Sequence, residues 1–359
     1  MDTNEFEKEI SKRTTSYGTF TTDLTIKGFR KGHVTDDHFD LFYVNIPELM
    51  HLNNEVLLNS KKIVELVNSL PGFVVDPYFK KLIINEAQSN NEIEGVRSTK
   101  KELREALKAI EKDEPKNKKF VGLMKTYLHI DTIKPFEDVS EFRSLYDSLV
   151  ADEIADENNP DGELFRTDYV EINNGTSVTH IGVKGEENII HDLNKLINYL
   201  GNDAHPALYK FMVAHYYYEY IHPFYDGNGR TGRLLVGSYL ARYLEKYSAI
   251  TFSYAVNKNK SKYYKALEEI PSPLNKGEVT FYLINMLELL TEGQNGIIED
   301  LELNLMKLQK IQGKIVPEDD EGKLLYILTT IQVFVDEDRK VSTSELMEAS
   351  KLSRHKAVS

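Results

Sequence analysis

Apolar residues recur at spacings of three and four along most of the chain, which is the pattern of amphipathic and buried helices. Residues 49–70 predict one long helix that ends at Pro71 and Gly72. Pro77 favours the start of the next helix, which would end at Gly95. The same spacing predicts helices over 100–111, 120–129, 142–154, 209–221, 234–244, 279–292, 297–314 and 324–335.

Two segments depart from this helical pattern. Residues 1–32 are polar and rich in Ser, Thr and Gly, which indicates an extended arm. Residues 169–183 alternate polar and apolar positions around Gly175, which predicts a short β-hairpin and the only strand pair. The fold class is therefore all-α: a helical bundle with one small hairpin and a helical N-terminal region.

Composition narrows the class of protein. Of 359 residues, 41% are hydrophobic and 28% are charged, as in globular proteins of two or three domains. We assign 1–114 to an N-terminal helical region, 115–315 to a central domain and 316–359 to a C-terminal segment. The net charge of −13 gives no reason to expect a nucleic-acid partner.

Cysteine content and hydropathy exclude further classes. With no cysteine in the sequence, there can be no disulfide, thiolate nucleophile or Cys-based zinc site. The first residues do not resemble a signal peptide, and no apolar run approaches the length of a membrane span. We therefore expect a cytoplasmic protein without a membrane partner.

The densest group of chemically useful residues is the stretch 222–233, which reads His-Pro-Phe-Tyr-Asp-Gly-Asn-Gly-Arg-Thr-Gly-Arg. Helical patterns precede and follow it, so it is predicted to be a tight loop whose glycines lie at the start of the second helix. Such a helix start binds anions through free N–H groups and the helix dipole. Arg230 and Arg233 would share one helix face, and guanidinium groups suit phosphate oxygens.

Two residues in this stretch suggest more than phosphate binding. Asp226 would repel an anion directly, but it can hold Mg²⁺, which binds one or two carboxylates together with substrate phosphates. His222 has an ordinary pKa near neutrality and can take a proton from an attacking hydroxyl. The residues describe a phosphate-binding loop with a metal and a base.

Other interpretations of the loop explain fewer of its residues. A glycine-rich turn between helices would need none of the charged side chains. A calcium-binding EF-hand loop starting at Asp226 fails, because Arg230 and Gly237 stand where ligands belong. A P-loop is nearer, but Arg233 and Leu234 replace its Lys and Ser/Thr.

The same residues resemble the signature of the Fic family: His, any, Phe, any, Asp/Glu, Gly-Asn-Gly-Arg, two of any kind, Arg. Similar proteins transfer AMP from ATP to a Tyr, Ser or Thr hydroxyl of a target protein, which implies ATP and a protein target as partners. The resemblance makes His222 the general base, Asp226 the ligand of Mg²⁺ (or Mn²⁺) and Asn228 an α-phosphate contact. The other implied nucleotide-binding residues are Gly227, Gly229, Arg230, Thr231, Gly232 and Arg233.

A second stretch resembles the inhibitory helix of self-inhibited Fic proteins, which carries Ser/Thr, three residues, then Glu and Gly/Asn. Glu94 and Gly95 match that pattern, whereas Asn90 stands at the Ser/Thr position. The resemblance implies that a helix at about 77–95 brings Glu94 to Arg233 and restrains the enzyme. The alternative is a helix–turn–helix corner whose carboxylates are solvated.

Three further features take their interpretation from this resemblance. The hairpin is similar to the Fic flap, in which His180, Ile181, Gly182 and Val183 would lie beside a strand of the target; for His180 we favour a structural role. Tyr263, Tyr264 and Leu267 occupy the place that lines the adenine pocket in Fic proteins, or else they belong to the core. Residues 342–356 resemble a helix-turn-helix of the winged-helix modules that follow Fic domains, and we expect it to contact protein rather than DNA.

The interpretation that accounts for most residues is an Mg²⁺-dependent protein adenylyltransferase restrained by Glu94. The signature leaves open the transfer of UMP, phosphate or phosphocholine, and the removal of AMP by a water that Glu94 orients. A nucleotide-sensing regulator is a third alternative, although phosphate binding alone would not need His222. The sequence leaves open a homodimer.

Overall fold

The computed structural model describes residues 3–113, 119–150, 153–173, 175–315, 318–335 and 341–358. Its helices are α1 (Thr3–Thr14), α2 (Pro47–Asn68), α3 (Gly72–Ile93), α4 (Lys100–Glu111), α5 (Val121–Leu128), α6 (Ser140–Leu149), α7 (Glu186–Leu200), α8 (Ala207–Ile221), α9 (Asn228–Tyr243), α10 (Lys246–Ala249), α11 (Phe252–Lys258), α12 (Lys260–Glu269), α13 (Thr280–Gln312), α14 (Asp320–Phe334), α15 (Thr343–Ser350) and α16 (Arg354–Val358). The strands are β1 (Thr19–Arg30), β2 (His33–Val44), β3 (Glu171–Asn173) and β4 (Val178–Ile181). The mainly helical fold with a small hairpin before α8 is confirmed.

Helices α8 and α9 lie at the centre of the bundle and are buried along most of their lengths. A helix that is apolar all round belongs in the interior of a protein. On α8, Leu208, Met212, Tyr217 and Ile221 are almost fully inaccessible to solvent. The loop between the two helices is consequently fixed at both ends by buried structure.

The N-terminal segment was expected to be an extended arm, and that expectation is wrong. Residues 3–14 form α1, and β1 pairs with β2 in an antiparallel hairpin, which we call the N-terminal hairpin. Thr22, Leu24 and Ile26 are buried at alternate positions of β1. Lys31 and Gly32, with φ of 52° and 82°, make the two-residue turn.

Helix α3 starts at Gly72 rather than at Pro77, which lies inside the helix. Pro77 removes one backbone hydrogen bond, but packing of the first turn outweighs this local cost. Val74 is fully buried, and the ring of Phe73 lies 6.2 Å from that of Tyr326 on α14. Helix α4 begins with a capping box made by Thr99 and Glu102.

Residues 279–292 and 297–314 were predicted as two helices, and they form the single 33-residue helix α13. Gly293 and Gly296 lie in the gap between the two predicted helices. Gly293 has a packing reason instead, because a β-carbon there would collide with the side chain of Thr251. Close approach of a neighbour therefore explains a glycine that resembled a helix end.

The hairpin of β3 and β4, which we call the flap, is where the alternation predicted it. Helix α14 packs beside α13 and α3, with the ring of Phe334 lying 6.2 Å from that of Tyr78, whereas α15 packs on α14 and α16 packs on α15. The stretch 342–356, which resembled a helix-turn-helix, contains α15 and the start of α16 at Arg354. The boundaries proposed at 114–115 and 315–316 involve residues outside the described part.

Within the described ranges, no helix combines the length and the apolar composition that a membrane span requires.

Candidate active site

The loop between α8 and α9 is held in shape by its own side chains. His222 ends α8 with a φ of 52°, and Gly227 precedes α9 with a φ of 81°. The Asn228 amide closes the loop on Phe224: its Oδ1 accepts from the backbone N–H at 2.9 Å and its Nδ2 donates to the carbonyl at 2.7 Å. The Thr231 hydroxyl donates to the Gly227 carbonyl at 2.9 Å. Asn228 and Thr231, both predicted nucleotide contacts, thus brace the loop here.

His222 has one ring nitrogen available for chemistry. Its Nδ1 lies 3.3 Å from the backbone oxygen of Glu219, which can only accept a hydrogen bond, so Nδ1 carries the proton and Nε2 the lone pair. Burial, with His180 and Arg166 nearby, lowers the pKa of His222 to about 3. The imidazole is therefore neutral at neutral pH and can accept a proton.

Arg166 fixes the main chain at His222. This fully buried guanidinium donates to the His222 carbonyl at 2.8 Å through Nε and to the Ile221 carbonyl at 3.2 Å through Nη2. Its Nη1 donates to the carbonyl of Asp168, at the start of the flap. The sequence pattern did not predict these contacts. Through them, one side chain connects the segment before the flap with the loop between α8 and α9.

The flap lies directly against the end of α8. His180 Nε2 contacts the Tyr220 carbonyl at 2.8 Å, and burial lowers the pKa of His180 to about 4. The backbone N–H of Val183 donates to the Ile221 carbonyl at 3.1 Å, and a β-carbon on Gly182 would lie 3.1 Å from the β-carbon of His222. These contacts agree with a structural role for His180; Ile181 pairs with Glu171 inside the flap.

A cavity of about 140 Å³ opens beside His222. Residues predicted for the nucleotide line it, namely Gly229, Arg233, Tyr263, Tyr264 and Leu267. The Tyr263 hydroxyl lies 2.8 Å from His215 Nε2, and that of Tyr264 donates to the Ile93 carbonyl at 3.4 Å. Ligand pockets are ordinarily about 300–1,000 Å³, so the cavity is too small for a whole nucleotide triphosphate.

Arg233 is held at the cavity wall by the end of α3. Its Nη2 lies 2.6 Å from Glu94 Oε1, its Nε donates to Asn90 Oδ1 at 2.7 Å, and its Nη2 also donates to the Asn90 carbonyl at 3.3 Å. Burial opposes the charge of Arg233, but Glu94 with Tyr263 and Glu219 holds its pKa above the ordinary value. The predicted contact of Glu94 with Arg233 is thus present, and Asn90 takes part in it.

Glu94 also covers the start of α9. A β-carbon on Gly229 would collide with the Glu94 carboxylate and would lie 3.0 Å from Arg233 Nη1. This is the end of the helix at which unpaired N–H groups and the dipole favour an anion. The carboxylate therefore fills part of the place that a phosphate would take.

The end of α3 has further anchors. Glu86 accepts hydrogen bonds from the N–H groups of Ser253 and Tyr254 at 2.8 and 2.9 Å, and burial raises the pKa of Glu86 to about 7. Lys260 Nζ donates to the Glu92 carbonyl at 2.7 Å. Gly95 then turns the chain away with a φ of 71°.

Arg230 does not line the cavity. It is buried, and its Nη1 lies 2.7 Å from Glu153 Oε2, whose side chain is 6% exposed. No sequence pattern indicated Glu153, which is distant from Arg230 along the chain. In this arrangement, the predicted phosphate contact Arg230 supports the loop from behind.

The predicted metal ligand Asp226 is exposed on the loop. Its Oδ1 accepts the Gly227 N–H at 2.6 Å. No cluster of three or more His, Asp or Glu ligands occurs among the residues that the structure describes. This single carboxylate fits Mg²⁺ only with phosphate oxygens as further ligands, which is the usual form of a nucleotide-linked site.

The N-terminal hairpin holds two residues of the cavity wall in place, which the sequence did not indicate. The Lys27 N–H donates to the Tyr220 hydroxyl at 2.9 Å, and the Phe29 N–H donates to the Pro271 carbonyl at 2.8 Å. Tyr220 and Pro271 both line the cavity. Residues far apart in the chain therefore build one wall.

Fold and site together define a helical protein with a glycine-rich loop between two buried helices, a neutral histidine and a hairpin flap. Residues 136–240 match the model of the Fic/DOC family, a family that transfers nucleotides or other groups onto proteins. Glu94, Tyr263 and Tyr264 lie outside the matched stretch.

Two solved structures share the fold. One is a Fic family protein from Desulfovibrio desulfuricans G20, with a TM-score of 0.57 and 19% identity over 87% of each chain. The other is a Fic domain containing signaling protein from Bacteroides thetaiotaomicron VPI-5482, with a TM-score of 0.51, 18% identity, and coverage of 69% of this chain and 95% of that one.

Proposed function

We propose that this protein transfers AMP from ATP to a Tyr, Ser or Thr hydroxyl of a target protein and that Glu94 restrains the transfer. The observation that carries the proposal is the neutral His222 at a cavity shared with Arg233 and the start of α9. A phosphate site alone needs no base, whereas transfer to a hydroxyl does.

The residues divide the chemistry between them. The target hydroxyl loses its proton to His222 Nε2 while its oxygen forms a bond to the α-phosphorus of ATP. The bond from that phosphorus to the bridging oxygen breaks, and pyrophosphate leaves with the electron pair. Arg233 and the amide of Gly229 bind phosphate oxygens, and the loop that Asn228 braces fixes their direction.

Asp226 would hold Mg²⁺ or Mn²⁺ together with phosphate oxygens. When bound, the ion neutralises phosphate charge and so favours departure of pyrophosphate.

The restraint follows from two contacts of one carboxylate. Glu94 pairs with Arg233 and covers Gly229, so ATP must displace it or bind with a misplaced α-phosphate. Misplacement by about 1 Å can cost roughly 10²-fold in rate. Tyr263, Tyr264 and Leu267 offer an apolar and aromatic surface for the base of the nucleotide.

The target protein would bind at the flap. A target segment that adds to the flap as a strand would bring its hydroxyl near His222, because the flap backbone is tied to Ile221. Main-chain pairing of this kind tolerates many sequences.

Transfer of label from ATP tests the proposal. Glu94→Gly protein is incubated with Mg²⁺ and ATP labelled at the α-phosphate, and in parallel with the three other nucleotides. We expect label from ATP on protein, a gain of one AMP in intact mass, and loss of both in the Glu94→Gly/His222→Ala double variant. Label from UTP instead would mean that UTP, and not ATP, is the donor. No label from any of the four nucleotides would refute nucleotidyl transfer.

A further inference from the structure

The carboxyl group of Glu219 lies beneath the cavity without a hydrogen-bond partner for one of its oxygens. It lies on α8 one turn before His222, and its side chain is 13% exposed. Oε2 is 3.9 Å from His222 Nδ1, and Oε1 is 4.0 Å from His215 Nδ1. Oε1 is buried and unpaired among the described residues. A buried polar atom without a partner is costly, so its retention calls for an explanation.

The neighbouring helix leaves room for this carboxyl. A β-carbon on Gly232 would collide with Glu219 Oε1 and approach the ring of Tyr218. Gly232 therefore permits α9 to lie against the acid. The arrangement keeps the carboxyl group next to the protonated nitrogen of the base.

We infer that Glu219 is a positioning residue that orients His222 and stabilises the charged ring formed when Nε2 takes the proton of the target hydroxyl. This inference rests on the proposed function. The proton adds a positive charge to a ring whose Nδ1–H faces the Glu219 backbone carbonyl, while the Glu219 carboxyl lies 3.9 Å from the same nitrogen. A carboxylate near that nitrogen favours the charged ring and holds Nε2 toward the cavity, as the third member of a nucleophile–base–orienter set does.

The charges around Glu219 determine when it is ionised. Burial raises the pKa of Glu219 to about 8; Arg233 on α9 opposes this, whereas Glu94 on α3 adds to it. His215 and His222 face it from its own helix, and Tyr263 faces it from α12. Because the ionised form exists above the pKa, the proposed support for His222 increases as the pH rises through about 8.

The test compares Glu94→Gly with Glu94→Gly/Glu219→Gln from pH 6 to pH 9, a window that extends about two units below that pKa and about one unit above it. We expect the kcat of the single variant to rise through this range. The double variant should lose about tenfold or more at high pH and should show no rise, since one pKa unit on the base corresponds to about tenfold in proton affinity. The KM for ATP should stay within about twofold, because Glu219 touches no phosphate site.

Two further variants keep the result decisive. Glu187→Gln removes an exposed carboxylate on α7 and should leave kcat and its pH profile unchanged. Gly232→Ala displaces the Glu219 carboxyl without removing it, should also flatten the profile, and decides the matter if Glu219→Gln does not fold. Equal kcat and an equal pH rise with and without Glu219 would overturn the inference, whereas an inactive Glu94→Gly protein would refute the proposed function itself.

Discussion

The side-chain oxygen of Asn90 accepts a hydrogen bond from Arg233 Nε at 2.7 Å in the protein interior. The same amide donates to the Tyr127 hydroxyl at 2.9 Å and to the Arg230 carbonyl at 3.3 Å. Asn90 thus links the two arginines of the loop to α3 and α5. An amide can accept and donate at two separate atoms, and a Ser or Thr hydroxyl at this position could not make the same pair of contacts.

Asn90→Ala should destabilise the protein by about 2–6 kcal/mol, since it leaves the Tyr127 hydroxyl and Arg233 Nε without their Asn90 partner in the interior, at about 1–3 kcal/mol each. Urea unfolding followed by circular dichroism measures the loss. Gln88→Ala, on the same helix and only partly buried, is the matched control and should cost less than about 1 kcal/mol. Equal losses in the two variants would contradict the bridging function of Asn90.

Glu94→Gly should raise AMP transfer by about 10²-fold at limiting ATP, because the variant frees Arg233 and the start of α9 for phosphate. The initial rate of label transfer measures the gain. Glu92→Gly gives helix α3 a similar glycine penalty two residues away, but its carboxylate contacts Asn257 instead. An equal gain in Glu92→Gly would show that a loosened helix end, and not the lost carboxylate, activates the enzyme.

Arg230→Met should lower stability by about 3–5 kcal/mol, since it leaves Glu153 without its buried partner. ATP affinity of the folded fraction should change little, because Arg230 is absent from the cavity wall. Thermal unfolding and calorimetric titration with ATP, both in the Glu94→Gly background, separate the two effects. A large loss of ATP affinity at unchanged stability would instead mean that Arg230 contacts the phosphates of ATP.

His222→Gln should reduce the dependence of stability on pH. The native state holds the pKa of His222 at about 3, whereas the unfolded chain takes up this proton near pH 6.5. Between about pH 4 and pH 5.5 the unfolded state therefore binds one more proton, and stability falls as the pH falls.

Removing His222 should lessen that slope by about 1.4 kcal/mol per pH unit. Urea unfolding at several pH values measures it in both proteins. Glu86 and Glu219, whose raised pKa values act in the opposite direction, are present in both proteins and cancel in the comparison. Identical slopes would mean that His222 is protonated in the native state.

The sequence predicted the loop between α8 and α9 because its charged, titratable and glycine residues are adjacent in the stretch 222–233. The contact of Glu94 with Arg233 also followed from a short pattern at the end of a helix. The contacts of Glu153 and Arg166 could not be predicted, since their partners Arg230 and His222 lie far away in the chain. Glu219 left one signal, which is its spacing of three residues from His222 on a helix.

The missed elements of the fold have physical reasons of the same kind. The alternation of Thr22, Leu24 and Ile26 was present, but Thr is a weak apolar signal and the Lys31-Gly32 turn lacks the usual Asn or Asp. Glycines normally weaken a helix, yet α13 continues through Gly293 because Thr251 packs closely there. In both cases tertiary contacts outweighed local preference.

The wall of the cavity is assembled from stretches on either side of the loop. A fragment trimmed to 136–240 would keep His222 and Arg233 but would lose Glu94, the hairpin contacts of Lys27 and Phe29, and the tyrosines of α12. In such a fragment, His222 and Arg233 would be exposed to solvent, and part of the cavity wall would be missing. Turnover measured on the fragment would test the loop alone, whereas the longer polypeptide is needed to test the proposed restraint by Glu94.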